Sequence, residues 1–227
     1  MTGGSSALGL ATLNKLKSPC RVICLSRNKP EQLSNPLVTM VHKHCDLGLQ
    51  SSIDTVLNDM EENFDHVILL AGISNTFKRF NEISREEMHE VFQVNLFSNI
   101  AILNKIADHV TGSITVISTN SIKYHGSENN TYYISSKSAL ETYCLSLGKV
   151  LAYAGGARLN VIRVGLIGTN MKYKIQGYTD EHFEKRKTLV PAGKAGKPDD
   201  LASLLAFLMS PDANFINLQT ICLTGGE

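Results

Sequence analysis

Short apolar runs alternate with amphipathic stretches along almost the whole chain. Near the start, Leu10, Leu13 and Leu16 recur at near-helical spacing. RVICLS at 21–26 is β-branched, is bounded by the polar SRNKP, and predicts a strand. LVTMVHKHCDL at 37–47 alternates apolar with polar positions, which predicts a second strand carrying two exposed histidines, His42 and His44. SSIDTVLNDMEENF at 51–64 has helical periodicity and a serine start signal. HVILLAG at 66–72 is almost wholly apolar, as a strand buried on both faces is. A long helix is expected from about 84 to 109, a buried strand at 112–118 and a helix from about 133 to 153. RLNVIRVG at 158–165 reads as a strand, PDDLASLLAFLMS as a helix opened by Pro198 and aspartates, and LQTICLTGG as a last strand. Apolar strands alternating with amphipathic helices predict an α/β fold, a doubly wound parallel sheet with helices on both faces. Ligands bind such sheets at the carboxyl ends of the strands, so the loops after each strand are where chemistry is sought.

Composition changes this picture little. The 227 residues are 43% apolar and 19% charged, which suits one globular domain spanning 1–227. A net charge of +1 carries no electrostatic footprint for nucleic acid or an anionic membrane. No apolar run reaches the roughly 18 residues of a membrane helix, and nothing resembles a signal peptide. Cys20, Cys24, Cys45, Cys144 and Cys222 form no CxxC pair, so reduced, packed thiols in a cytoplasmic protein are expected. HKHC at 42–45 could be a metal cluster, but its place in an alternating run favours a strand, and no metal is expected.

Two motifs carry chemistry. Thr2-Gly3-Gly4-Ser5-Ser6-Ala7-Leu8-Gly9 opens a helix, and such a glycine-rich turn brings backbone N–H groups close to a pyrophosphate. Tyr133-Ile134-Ser135-Ser136-Lys137 is a Tyr-x-x-x-Lys on a helix, with both side chains on one face. Each alone is weak: the first is often only a turn, the second often a surface pair. Together, and in this order, they resemble the short-chain dehydrogenase/reductase family over essentially the whole chain. The family's T-G-x-x-x-G-x-G loop matches Thr2 to Gly9, with Ala7 for the middle glycine. Its Asn-Asn-Ala-Gly matches Leu69 to Gly72, keeping only Ala71 and Gly72. The active-site asparagine falls on Asn95, and R-V-N-x-I-x-P-G-x-I-x-T-x-M matches Arg158 to Met171, with Val164 at the proline. VPAGKAGKPDDLASLLAFLMSPDANFINLQTICLTGG follows the family's closing helix and strand.

The resemblance implies a Rossmann-type domain that transfers a hydride between NADP(H) and a carbonyl or alcohol. Tyr133 is then the general acid/base, with the Lys137 ammonium lowering its pKa. It implies that Lys137 also binds the nicotinamide ribose and that Asn95 holds a water in a proton relay. The family's serine slot falls on Asn120; aligning from the strand instead gives Thr119, narrowly ahead of Ser121, with Ser118 a further candidate and the Asn120 amide another donor. Gly3, Ser5, Ser6 and Leu8 match the pyrophosphate turn. Ser26 occupies the slot where a carboxylate would repel a 2′-phosphate, and Arg27 follows it, which favours NADP(H) over NAD(H). Asp46 and Leu47 match the adenine-contacting pair, Ala71 and Gly72 the turn after the next strand, and Gly165, Ile167 and Thr169 the segment around the carboxamide. The family's substrate lid maps to about 172–189, whose mixed charges suggest a polar or anionic substrate or simply a solvated flap. The helices at about 84–109 and 133–153 match those of the family's dimer interface, so a homodimer or homotetramer is expected. Three readings stay open: a general carbonyl reductase; a 3-oxoacyl-carrier-protein reductase-like or sugar-pathway enzyme; and a degenerate member that binds nucleotide or a partner without catalysis.

One feature of MTGGSSALGL is out of pattern. Family members carry an apolar strand just before this turn, at the centre of the sheet. Without it, the strands at 21–26 and 66–72 would stand about 9–10 Å apart, twice the usual spacing, with unpaired backbone groups. The expectation is that Met1 is the last residue of such a strand and an internal methionine of a slightly longer protein.

Overall fold

The computed structural model describes residues 1–31, 33–60, 62–74, 77–169 and 174–227. Helix α1 (Ala7–Lys15) leads into strand β1 (Cys20–Ser26), followed by β2 (Val38–His44), α2 (Gln50–Asn58) and β3 (Phe64–Leu69). After α3 (Arg85–Phe92) and α4 (Ser98–Ile106) come β4 (Val110–Thr119), α5 (Thr131–Tyr153) and β5 (Arg158–Val164). Helices α6 (Asp180–Lys187) and α7 (Pro198–Met209) precede the last strand, β6 (Thr220–Leu223). All four named strand pairings are parallel, β1 with β2 and β3-β4-β5-β6 in order. The expected doubly wound sheet is therefore present.

Alternation along the strands supplies both faces of the sheet. Val67, Leu69, Ile114, Val116, Leu159 and Val161 pack with residues of α2, α4 and α5. The intervening Ile68, Ile117 and Ile162 pack with Leu201, Leu205 and Leu208 of α7. This two-sided burial is why the strands read as continuous apolar runs.

Local signals set several boundaries. Ser84 caps α3, accepting from the Glu87 N–H while the Glu87 carboxylate accepts from the Ser84 N–H. The helix expected from 84 to 109 is interrupted: Gln93–Phe97 forms a π-helical turn between α3 and α4. Such a wide turn rotates the following helix face, and here it carries Asn95 into the interior. His42 is a correction to the sequence reading, because only His44 is exposed; the His42 ring Nε2 lies 2.9 Å from the Ser26 carbonyl oxygen. Cys24, Cys45 and Cys144 are buried, whereas Cys222 is exposed. No helix among the described residues is long and apolar enough to cross a membrane.

The centre of the sheet is unusual. Between β1 and β3, the backbone pairing among the described residues comes from Met1–Gly3 alone. The Leu25 N–H donates to the Met1 carbonyl at 2.9 Å, the Thr2 N–H to Ile68 O at 3.0 Å and the Gly3 N–H to Leu25 O at 3.1 Å. The Met1 amino group donates to Ile23 O at 2.6 Å, and burial lowers its pKa. Toward the amino ends of β1 and β3 lies a cavity of about 710 Å³, walled by Leu13, Val22, Ile23, Val67, Ile102 and Ile106. Met1–Gly3 thus stand between β1 and β3, beside this cavity.

Candidate active site

The carboxyl ends of β1, β3, β4 and β5 converge on one edge, opposite that cavity. There the glycine-rich turn is shaped by two close approaches and a serine cap. Gly3 has φ +70°, and a Cβ on it would stand 3.0 Å from the Ala71 nitrogen. A Cβ on Gly9 would fall 2.5 Å from the Gly3 oxygen, so α1 can press onto the turn only through glycine. Ser6 caps α1, its hydroxyl accepting from the Gly9 N–H at 3.0 Å and donating to the Gly3 oxygen at 2.8 Å. The first turn carries no acidic side chain, so the positive end of the helix dipole stays unopposed beside Ser5, Ser6 and Leu8. Ala7 is exposed. This turn fits a pyrophosphate.

Thr2 joins the turn to the end of β3. Its buried hydroxyl oxygen accepts from the Leu70 and Ala71 N–H groups, each at 3.1 Å. The Leu69 and Leu70 side chains enter the two cores instead. Replacing two asparagines by leucines at this point therefore leaves the loop's backbone tied. Thr2 is a residue the motif contained but whose bridging role spacing does not reveal.

On α5, Tyr133 and Lys137 lie one turn apart. Lys137 is buried and donates to the Ile117 carbonyl at 3.0 Å. Burial lowers its pKa to about 8, with Cys144 and Glu141 opposing. Tyr133 is half-buried, and desolvation raises its phenol pKa, while a hydrogen bond with Thr119 and the Arg186 charge pull it down. The expected lowering by Lys137 is not among these influences; the ammonium is turned to Ile117. Thr119 ends β4, so it faces away from Ser118 and toward Tyr133. Its hydroxyl oxygen also accepts from the Ser121 N–H at 3.3 Å. Ser121 thus meets the site through its backbone, and Ser118 is buried with its hydroxyl unpartnered.

Asn95 is fully buried. Its Oδ1 accepts from the Ile73 N–H at 2.8 Å, and its Nδ2 donates to Ile73 O at 2.9 Å and Ser136 Oγ at 3.1 Å. Both amide hydrogens are used, so its side chain buttresses the β3 loop against α5. A Cβ on Gly72 would stand 3.0 Å from Lys137 Nζ and 3.2 Å from Asn95 Oδ1, which makes glycine a packing requirement there.

The remaining candidates spread along the same edge. Ser26 is buried and donates to Asn28 O at 2.7 Å, while Arg27 is exposed. Asp46 Oδ1 accepts from the Gly48 N–H at 2.9 Å, and Leu47 is buried in the core. The Gly165 N–H donates to Leu223 O at 2.9 Å, Ile167 bridges Gly196, and Thr169 follows. Met171 and the first lid positions, 172 and 173, lie outside the described residues. The rest of the lid holds α6, tied to the β3 loop by a 2.8 Å bond from the Phe77 N–H to Gln176 O and by packing of Phe77 on Tyr178 and His182.

A family model described as enoyl-(acyl carrier protein) reductase matches residues 18–227. The chain belongs to the short-chain dehydrogenase/reductase family. Its relatives and structural neighbours are oxidoreductases of this family. A 3-oxoacyl-acyl-carrier-protein reductase of Haemophilus influenzae is 31% identical over 186 residues, 78% of this chain and 74% of that protein. The Bacillus subtilis oxidoreductase YhxD is 27% identical over 165 residues, 71% of this chain but 55% of that protein's length. The crystal structure of a putative NAD(P)-dependent gluconate 5-dehydrogenase from Beutenbergia cavernae, with bound NADP at low occupancy, superposes with a TM-score of 0.87. It is 21% identical, and the match covers 99% of this chain and 94% of that one, which speaks for the fold.

In this short-chain dehydrogenase/reductase, Lys137 carries a stability cost. Its folded-state pKa near 8 lies below the ordinary 10.5, so between those values the unfolded chain holds a proton the folded one has released. Stability from this group rises with pH over that window, and the penalty is fully present below it. Lys137→Met is therefore expected to stabilise the fold at pH 7 by on the order of 2–3 kcal/mol, with the gain shrinking toward pH 10.5. Urea melts of both proteins at pH 7 and pH 10 check this.

Proposed function

We propose that this chain is an NADP(H)-dependent carbonyl reductase or alcohol dehydrogenase in which Tyr133 exchanges the proton with the substrate oxygen. The observation that carries the reading is Tyr133 standing beside the Thr119 hydroxyl at the carboxyl end of β4, one helical turn from the buried Lys137. A phenol whose pKa is raised by burial is protonated at neutral pH, which suits an acid that delivers a proton to a carbonyl. Thr119 supplies a second hydroxyl to the same oxygen. The nicotinamide cofactor supplies the hydride. Gly3, Ser5, Ser6 and Leu8 would hold its pyrophosphate, Lys137 its ribose, and Gly165, Ile167 and Thr169 its carboxamide. Asp46, Leu47, Ala71 and Gly72 would line the adenosine side, and Asn95 would hold the β3 loop in place for the relay.

Arg27 supports NADP(H), because no carboxylate stands at Ser26 to repel a 2′-phosphate. Arg27→Ala is expected to weaken NADPH binding at least tenfold, the size of one charge-assisted contact, while NADH affinity stays within twofold. Fluorescence titration with each nucleotide reads both numbers; equal effects on the two would remove the assignment. The 31% identity to a 3-oxoacyl reductase makes 3-oxoacyl compounds the first substrates to try, beside diketones and quinones. Loss of NADPH absorbance on adding them tests the proposal as a whole, and nucleotide binding without turnover across the panel would favour the non-catalytic reading. Association through α4 and α5 is part of the proposal. Phe97 in the π turn leading into α4, and Val150 and Tyr153 on α5, expose 48%, 64% and 84% of their surface, and sedimentation is expected to give a dimer or tetramer.

A further inference from the structure

Beyond β6, the chain doubles back through Gly225 and Gly226, with φ of +68° and +101°, and brings Glu227 over the ends of β4 and β5. Side chains at these two positions would collide with the Val190–Ala192 segment: a Cβ on Gly225 would lie 2.9 Å from Val190 Cγ1, and one on Gly226 3.0 Å from Pro191 Cβ. The turn is therefore held, and Glu227 is placed by it. Asn120 Nδ2 and Lys123 Nζ each donate to the Glu227 main-chain oxygen at 3.3 Å.

The Glu227 side chain is 9% exposed. One carboxylate oxygen, Oε1, lies 3.5 Å from Arg186 Nε of α6, the same guanidinium whose charge reaches Tyr133. The other, Oε2, is buried without a hydrogen-bond partner, as is the neighbouring Asn120 Oδ1. Oε2 sits 2.6 Å from where a Cβ on Gly165 would be, so the absence of a side chain at Gly165 is what lets it reach this point. A buried carboxylate oxygen with no donor costs the fold free energy, and buried acceptors without partners are few in proteins. Arg186 meets only Oε1, and Oε2 is left without a donor.

We infer that Glu227 is a specificity residue of this active site, its Oε2 accepting a hydrogen bond from a hydroxyl that the substrate carries next to its carbonyl. The inference rests on the carbonyl-reductase reading and narrows it to α-hydroxy carbonyl compounds. Asn120 Oδ1 offers a second acceptor beside it. Asn120 directly follows Thr119, so the residue it holds, Glu227, stands at the same end of β4 as the Thr119 hydroxyl.

The test compares butan-2-one with 3-hydroxybutan-2-one, which share a carbon skeleton and differ by one hydroxyl. Binding is read as the rise in melting temperature of the protein at matched concentrations, so the result does not depend on turnover. Where the substrates turn over, the ratio of their kcat/KM values is a second reading. Wild type is expected to be stabilised more by the hydroxyketone and to prefer it at least tenfold in kcat/KM. In Glu227→Ala the preference for the hydroxyketone is expected to be lost, whereas Glu227→Gln, which keeps an acceptor oxygen at this point, keeps most of it. Rescue by glutamine separates recognition from a structural role, which would move both ketones together in either variant. The inference is overturned if wild type does not distinguish the two, or if Glu227→Ala keeps the distinction. Failure of NADPH turnover with differential binding intact would instead remove the reductase reading and leave the hydroxyl site.

Discussion

Tyr133→Phe is expected to lower kcat/KM for carbonyl reduction by about 10²–10⁴, the usual weight of a positioned general acid. NADPH affinity should stay within a few fold. The substitution removes one oxygen from a half-buried ring and leaves the packing of α5 intact. On the proposed mechanism it removes the proton source, the hydroxyl that stands beside Thr119. Thr119→Val should therefore be the second most damaging change at the site, while Thr119→Ser restores the hydroxyl and most of the rate. Ser121→Ala is expected to be nearly silent, because Ser121 meets Thr119 through its main-chain N–H, which alanine keeps. Initial rates followed by NADPH absorbance decide these orders. Full activity in Tyr133→Phe, or a larger loss in Ser121→Ala than in Thr119→Val, would overturn the assignment of the proton donor and its partner.

The Thr119 question shows where sequence reasoning stops. The residues around the end of β4 offer Ser118, Thr119, Asn120 and Ser121, and alignment places the hydroxyl only by choosing where an insertion falls. The strand settles which side each faces, since β4 runs through Thr119 and the chain then turns into a 3-10 helix at 120–122. The parallel sheet itself was legible, because burial on both faces forces continuous apolar runs, and those runs sit where β3, β4 and β5 are. The break in the long helix before α4 was not legible. QVNLF keeps apolar residues at positions compatible with an unbroken helix, and the π turn at 93–97 answers to contacts of Asn95 with Ile73 and Ser136, far away in sequence. Arg186 and Glu227 were invisible for the same reason: the first reads as one charge in a solvated flap, and only the fold brings the two together.

Filling the cavity beside Met1 with apolar side chains is expected to raise the stability of this chain substantially. Consider a variant with five apolar, β-branched residues placed ahead of Met1. The Met1–Gly3 backbone already runs parallel to both neighbours, pairing with Leu25 on one side and Ile68 on the other. An extension in the same direction would descend between Cys20–Ile23 and the lower half of β3, into the cavity of about 710 Å³. Its side chains would meet Leu13 and Val22 of one wall and Val67, Ile102 and Ile106 of the other. Each buried apolar side chain contributes about 1.5–3 kcal/mol, against about 1–2 kcal/mol per residue for ordering the backbone. With the ladder hydrogen bonds of two edges added, the net is on the order of 5 kcal/mol, a rise of about 10–20 °C in melting temperature for a domain of this size. The same segment with a central proline should give little, since proline cannot donate to the ladder and its ring does not fit between two strands. Equal melting temperatures for parent and extended chains, or an equal gain from the proline control, would mean that β1 and β3 do not present a strand-shaped space.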